Sequence, residues 1–150
     1  MRSSTLIYKA SELLCQTMKI EVPSKSQTIG RLGELFVCKL FGDRLIPFFP
    51  SCIFYSRSPY DFVIWDNVKV EVKCSYPSED GKHTFIISHN ENKFDILICV
   101  PLNYNIFDQP SFYIIPKKDI SHLQGFHITN GNKKKFKKYL NNFKLIDKEI

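Results

Sequence analysis

The sequence has no apolar run long enough to cross a membrane. Its longest apolar stretch, from Leu45 to Ser56, contains Pro47 and Pro50 and lies between Arg44 and Arg57, whereas a spanning helix needs about 20 apolar residues. It has no Cys-x-x-Cys pair either. The five cysteines, Cys15, Cys38, Cys52, Cys74 and Cys99, are odd in number and widely spread, which suggests neither a disulfide framework nor a zinc knuckle and reads as reduced thiols, mostly buried. The chain does not open on an apolar run followed by a small-residue cleavage site, so no secretory signal is expected and the expected location is cytoplasmic. Internal repeats, low-complexity tracts and linker-like shifts in composition are all missing, so the 150 residues are expected to make one domain. Glycine is scarce, six in all. Gly30 and Gly33 fall inside a helical pattern with no strand before it, which argues against a nucleotide-binding loop and for packing or close-approach positions. His83, His89, His122 and His127 have no cysteine partners and no His-Glu-x-x-His pattern, and so read as exposed or hydrogen-bonded rather than as metal ligands.

What is present is an ordinary globular composition, 43% hydrophobic and 24% charged, neither disordered nor fibrous. The net charge is +6 and is unevenly placed. Residues 126–150 hold seven lysines against Asp147 and Glu149, so five of the six net positive charges lie in the last sixth of the chain. A cationic segment of this kind suits a polyphosphate partner, DNA or RNA before anionic lipid.

The periodicity predicts a helix over Ser4 to Ile20, a break at Pro23 and a second helix from near Ser26 to near Gly42, with Ile29, Leu32, Phe36, Val37, Leu40 and Phe41 at helical spacing. At 100° per residue, Glu34 lies at the flank of that stripe, beside Val37 and Phe41. Strands are expected over Ile53 to Ser56, Asp61 to Trp65, Val68 to Cys74, Thr84 to Ser88, Phe94 to Val100 and Ser111 to Ile115. Helices are expected over Lys117 to Leu123 and Lys133 to Phe143. The fold class is therefore α/β: a mixed central sheet fed by a β-hairpin and flanked by helices.

The segment Ser58 to Ser75 carries the chemistry. Phe62 and Ile64 alternate with their neighbours, as do Val70 and Val72, and Asp66-Asn67 is turn chemistry, so the segment reads as a β-hairpin. Pairing Phe62 with Val72 and Ile64 with Val70 predicts a three-residue loop at Asp66, Asn67 and Val68 and sets Asp61 opposite Lys73 and near Glu71. Two carboxylates in reach of one another are costly unless a cation sits between them, and hard oxygen ligands of this number suit Mg²⁺ completed by water and phosphate. Asp61, Glu71, the carbonyl of Val72 and Lys73 together form a constellation able to hydrolyse a phosphodiester, Lys73 orienting or deprotonating the attacking water. Arg57 and Ser58, just ahead of Asp61, are placed to meet a phosphate or to make a turn. Lys133, Lys134, Lys135, Lys137 and Lys138 are expected to contact DNA phosphates from a basic helix over residues 132–143. Phe136 and Tyr139 read as its core anchors in preference to base-stacking groups.

These residues resemble the PD-(D/E)XK nuclease superfamily, whose signature looks like Pro59-Tyr60-Asp61 followed by Glu71-Val72-Lys73. One residue separates Pro59 from Asp61, so the literal Pro-Asp pair is absent while Asp, Glu and Lys all survive. That superfamily also carries a glutamate on the helix before the hairpin, and Glu34 in Gly33-Glu-Leu-Phe36 is similar in position. The resemblance covers roughly residues 27–120, and the later strands look like those of small intron-encoded homing and type II restriction endonucleases.

The resemblance implies a restriction-endonuclease-like core and a Mg²⁺-dependent, site-specific endonuclease acting on double-stranded DNA. Asp61 and Glu71, with the Val72 carbonyl, would bind metal, Lys73 would position water and Glu34 would support the metal. Cutting both strands at a defined place further implies a homodimer or homotetramer, with Phe48-Phe49-Pro50 and residues 104–107 as the expected contact surface. The alternatives are a structure-specific nuclease such as a Holliday junction resolvase, and a catalytically inactive DNA-binding domain of the same fold.

Overall fold

Helix α1, Lys25–Asp43, follows the apolar stripe read in the sequence. It buries Val37, Leu40 and Phe41 against one face of a five-stranded sheet, and an i,i+4 ion pair between Lys39 and Asp43 at 2.5 Å ties its exposed side. The computed structural model describes residues 8–10, 12–13, 16–17, 25–51, 58–87, 93–103 and 108–147. The described parts of the expected first helix are helical. The expected strand over Ile53 to Ser56 lies outside the described residues, as do Arg57 and residues 104–107. Among the described residues no helix is long and apolar enough to cross a membrane.

The main sheet is made of β1 (Phe48–Pro50), β2 (Phe62–Ile64), β3 (Val68–Ser75), β5 (Ile96–Pro101) and β6 (Tyr113–Pro116), side by side in that order. All neighbours are antiparallel except β3 and β5, which run parallel, so the expected mixed sheet is present. A separate antiparallel ribbon pairs β4 (His83–Ile86) with β7 (Gly125–Ile128). Phe62, Ile64, Val70, Val72, Ile98 and Ile114 face α1. Leu97, Cys99, Tyr113 and Ile115 face the other way and are covered by Phe85, Phe126 and Ile128 of the ribbon together with Phe136. The result is three layers: helix, sheet and ribbon. Strand β5 is buried on both sides from Ile96 to Val100, which is why its sequence is an unbroken apolar run. Each fully buried Phe, Ile or Val of these clusters contributes about 1.5–3 kcal/mol.

Four sequence expectations are corrected. The hairpin pairs Phe62 with Val70 and Ile64 with Val68, two residues away from the expected register, and its loop is Trp65, Asp66 and Asn67. Trp65 takes a positive φ of 53°, its backbone N–H donates to Pro47 O at 2.9 Å, and its indole N–H donates to Ile146 O at 2.8 Å. These long-range contacts pull it out of the strand. A slip of two residues keeps every apolar side chain on the same face, so the apolar pattern does not distinguish the two registers. Phe48–Pro50 forms edge strand β1, with the Phe48 ring packed on Phe41 and Phe62 at 5.5 and 5.9 Å between centroids. Of the expected contact surface, Phe48 thus packs half-buried against the core, and Phe49 alone of the three stays largely exposed.

The helix expected over Lys117 to Leu123 is a single 3-10 turn, Lys117–Asp119, followed by β7. The basic helix is one turn, Lys133–Phe136, followed by 3-10 turns at Lys137–Tyr139 and Phe143–Leu145. Asn141 stops it: with φ of 49° it donates its N–H to Phe112 O at 2.7 Å and accepts the Phe112 N–H on its side chain at 2.9 Å.

Candidate active site

Asp61 stands at the open end of the β2–β3 hairpin. Its backbone N–H donates to Val70 O and its carbonyl accepts from Ser51 N, both at 2.9 Å, and its side-chain Oδ2 accepts the Val72 N–H at 2.8 Å. The N–H and C=O of one strand residue leave the same edge, so the Val72 carbonyl also faces the Asp61 side. The residue before Asp61 is fixed as well, since the Ser51 hydroxyl donates to the Tyr60 carbonyl.

Alternation along β3 puts Val70 and Val72 under α1 and leaves Lys69, Glu71 and Lys73 on the opposite face. There Lys73 Nζ lies 2.7 Å from Glu71 Oε1, with the two side chains 31% and 13% exposed. The pair is therefore reachable from solvent and partly desolvated. Burial raises the Asp61 carboxyl from its ordinary 3.8 to about 7. The Glu71 charge adds to that rise and Glu34 adds less, while the Val72 N–H and the Lys73 ammonium oppose it. The cluster thus carries more negative charge than Lys73 neutralises, the condition under which a bound cation is favoured. Among the described residues no three His, Cys, Asp or Glu side chains form a ready-made metal cage. The donor set is instead two carboxylates and a carbonyl, an open set of the kind that suits Mg²⁺ keeping several waters.

Glu34 lies on α1, paired with Arg31 at 2.9 Å. Its neighbour Gly33 sets the helix close to the hairpin: a Cβ built on Gly33 would lie 2.6 Å from Cys74 Cβ. The expectation of close approach holds there but not at Gly30, where a Cβ would meet nothing within 4 Å. Ser58 Oγ accepts the Tyr60 N–H at 3.4 Å, which is the turn alternative.

Lys133, Lys134, Lys135, Lys137 and Lys138 are all exposed, while Phe136 is buried in the core and Tyr139 donates to Asp119 at 2.7 Å; both aromatics are anchors. Lys138 is also drawn toward Asp119, at 4.0 Å. The described histidines behave as expected: His83 is hydrogen-bonded to Ser75 O at 3.0 Å and His127 to Thr84 at 2.9 Å. Burial lowers the His83 pKa against the hydrogen bond to Ser75, which raises it, and the Lys133 charge lowers it further; His83 and Lys133 line one cavity.

Two groups at the site escaped the sequence reading. Lys69 projects on the same face as Glu71 and Lys73, its ammonium 5.5 Å from the centroid of the Tyr60 ring. The period-2 pattern that selected Glu71 and Lys73 also contains Lys69. Asp95 accepts the Lys69 N–H at 2.9 Å, and nothing local in the sequence signals that contact.

No family model matches the chain, and no curated protein matches it in sequence. Among solved structures, the chain is similar to a bacterial homing endonuclease, I-Ssp6803I, with a TM-score of 0.65 and 20% identity over 81% of this chain and 90% of that one. At that identity the likeness establishes the fold: a five-stranded mixed sheet with a hairpin on one side and helical cover, shared with that endonuclease.

Proposed function

We propose that the chain is a Mg²⁺-dependent endonuclease that cuts both strands of duplex DNA at specific sites, in the manner of homing or restriction enzymes. The observation that carries this reading is the meeting of Asp61, Glu71 and Lys73 at the open end of one hairpin, with Asp61 driven toward neutrality by burial and by the Glu71 charge. Asp61, Glu71 and the Val72 carbonyl would hold the ion, with Glu34 at its margin. When bound, the ion polarises the phosphoryl group and lowers the pKa of a coordinated water.

The chain's own groups do the rest. Asp61 is held by the Val72 N–H, so its second oxygen is fixed in direction. Lys73, anchored on Glu71, presents a positive charge where a water or a phosphate oxygen would lie, and so orients the nucleophile and offsets the charge that develops as water bonds to phosphorus and a P–O ester bond breaks. Lys69, on the same face, extends the positive lining. The likeness to a homing endonuclease supports the site-specific reading over the junction-resolving one. The exposed Phe49 on edge strand β1 supports assembly into a homodimer or homotetramer, which cutting two antiparallel strands requires.

Supercoiled plasmid and a mixed genomic digest, each incubated with Mg²⁺ and with chelator, test this reading. Discrete bands in Mg²⁺ alone are expected. Preference for a four-way junction over linear duplex would move the reading to a resolvase, and absence of any cutting would leave a binding domain.

A further inference from the structure

The ribbon on the sheet face that carries Glu71 and Lys73 has an outer surface that the described residues leave uncovered. Phe85, Ile87, Phe126 and Ile128 point into the cluster around Leu97, Cys99 and Ile115, so Thr84, Ile86 and His127, the alternate residues, point outward. Thr84 lies directly opposite His127, and Thr84 Oγ1 meets His127 Nδ1 at 2.9 Å. That contact occupies Nδ1 and leaves Nε2 for an outside partner. Ile86 is 71% exposed, and facing it is Gly125, where a Cβ would lie 2.8 Å from the Phe85 carbonyl oxygen.

Neither strand holds a carboxylate, and cations are attached to the ribbon at one end. The Asn132 side chain donates to His127 O and accepts the Thr129 N–H, both at 2.8 Å. It thereby fixes the start of Lys133-Lys134-Lys135, all exposed, to β7.

We propose that the β4–β7 ribbon reads the major groove of duplex DNA, with Thr84, Ile86 and His127 at base edges and Lys133, Lys134 and Lys135 on the flanking phosphates. This rests on the nuclease reading above and names its recognition element. A two-stranded ribbon is a shape the major groove, about 12 Å wide, admits. The ribbon lies beside the end of β3 that follows Lys73, where Thr84 N–H donates to Ser75 Oγ at 3.2 Å, and it stands one packed layer, about 10 Å, above the sheet. A duplex whose backbone reaches Lys73 at the foot of that step presents its groove to the top. The chemistry is complementary: a hydroxyl and an imidazole that can donate or accept, and an aliphatic group suited to a thymine methyl, between lysines that hold the backbone.

The test uses the full chain and a duplex library with a randomised core. The unmodified chain is expected to enrich a motif. Ile86→Ser and His127→Ala should each change the preferred base at one or two positions, with unchanged thermal midpoints and salt slope, while Lys134→Gln with Lys135→Gln should weaken all sequences alike. Replacing thymine by uracil in the enriched sequence should weaken the unmodified chain about fivefold or more and leave Ile86→Ser indifferent. The same motif recovered with both ribbon variants, or equal retention of A-form RNA duplex, whose major groove side chains cannot read, would overturn the proposal and leave the nuclease reading standing. Failure of the unmodified chain to retain any duplex would overturn both.

Discussion

The Asp61 carboxylate accepts the backbone N–H of Val72 at 2.8 Å, so a side chain at the start of one hairpin strand completes the hydrogen bonding of the other. The bond orients Asp61 toward the Val72 carbonyl and toward Glu71, and it holds a carboxylate in a place that burial and a like charge both disfavour.

That placement makes stability depend on pH. Because the Asp61 pKa is raised in the folded chain, from 3.8 to about 7, the folded state binds the extra proton. The stabilisation is full below pH 4 and is lost as pH rises through 7. Asp61→Asn keeps an oxygen for the Val72 N–H and removes the charge. In metal-free urea titrations it should match the unmodified chain at pH 4 and exceed it at pH 8, by a few kcal/mol at most. Equal midpoints at both pH values would contradict a carboxyl desolvated by the fold.

A divalent cation should offset the same charge. Mg²⁺ is expected to raise the melting temperature of the unmodified chain more at pH 8 than at pH 5, where the ligand is protonated, and to do little for Asp61→Asn. A shift independent of pH and of Asp61 would place the ion elsewhere.

Two glycines three residues apart should respond in opposite ways. Gly33→Ala would drive a methyl to 2.6 Å from Cys74 Cβ, pushing α1 and Glu34 off the hairpin. It is expected to destabilise by about 1–3 kcal/mol and to slow cleavage. Gly30→Ala meets nothing within 4 Å and should stabilise the helix by up to about 1 kcal/mol. Denaturant midpoints of the two variants decide it.

Much of this arrangement is legible in the sequence because one face of each element is buried. The stripe from Ile29 to Phe41 gives α1 almost to the residue, and the alternation about Val70 and Val72 places Glu71 and Lys73 outward. The hairpin register is not legible, since a slip of two preserves both faces and the decision rests with Trp65, which reaches Ile146 far along the chain. Strand β7 is hidden for the same reason: Gly125 and His127 look like loop residues until Phe85 supplies the partner. The basic segment reads as a long helix with Phe136 and Tyr139 as its anchors, and the Asn141 contacts to Phe112 break it.

The lysines of that segment should bind phosphates. Changing Lys134, Lys135 and Lys137 to Gln is expected to weaken binding to all duplexes and to lower the slope of log affinity against log salt by about 0.9 for each phosphate that is no longer neutralised. A filter-binding titration with an unchanged slope would make them a solvated surface.

Phe49, 54% exposed on the β1 edge, bears on the assembly. Phe49→Asp should leave the fold and single-strand nicking intact while abolishing concerted double-strand breaks, with light scattering reporting the monomer. Double-strand cutting by a monomeric variant would contradict a symmetric oligomer.

Plasmid cleavage by Glu71→Gln and Lys73→Ala decides whether Asp61, Glu71 and Lys73 form a phosphodiester-hydrolysing site. Both variants are expected to keep their fold and their affinity for DNA and to lose cutting in Mg²⁺ by at least about a hundredfold; near-normal cutting rates in both would show that the chemistry lies elsewhere.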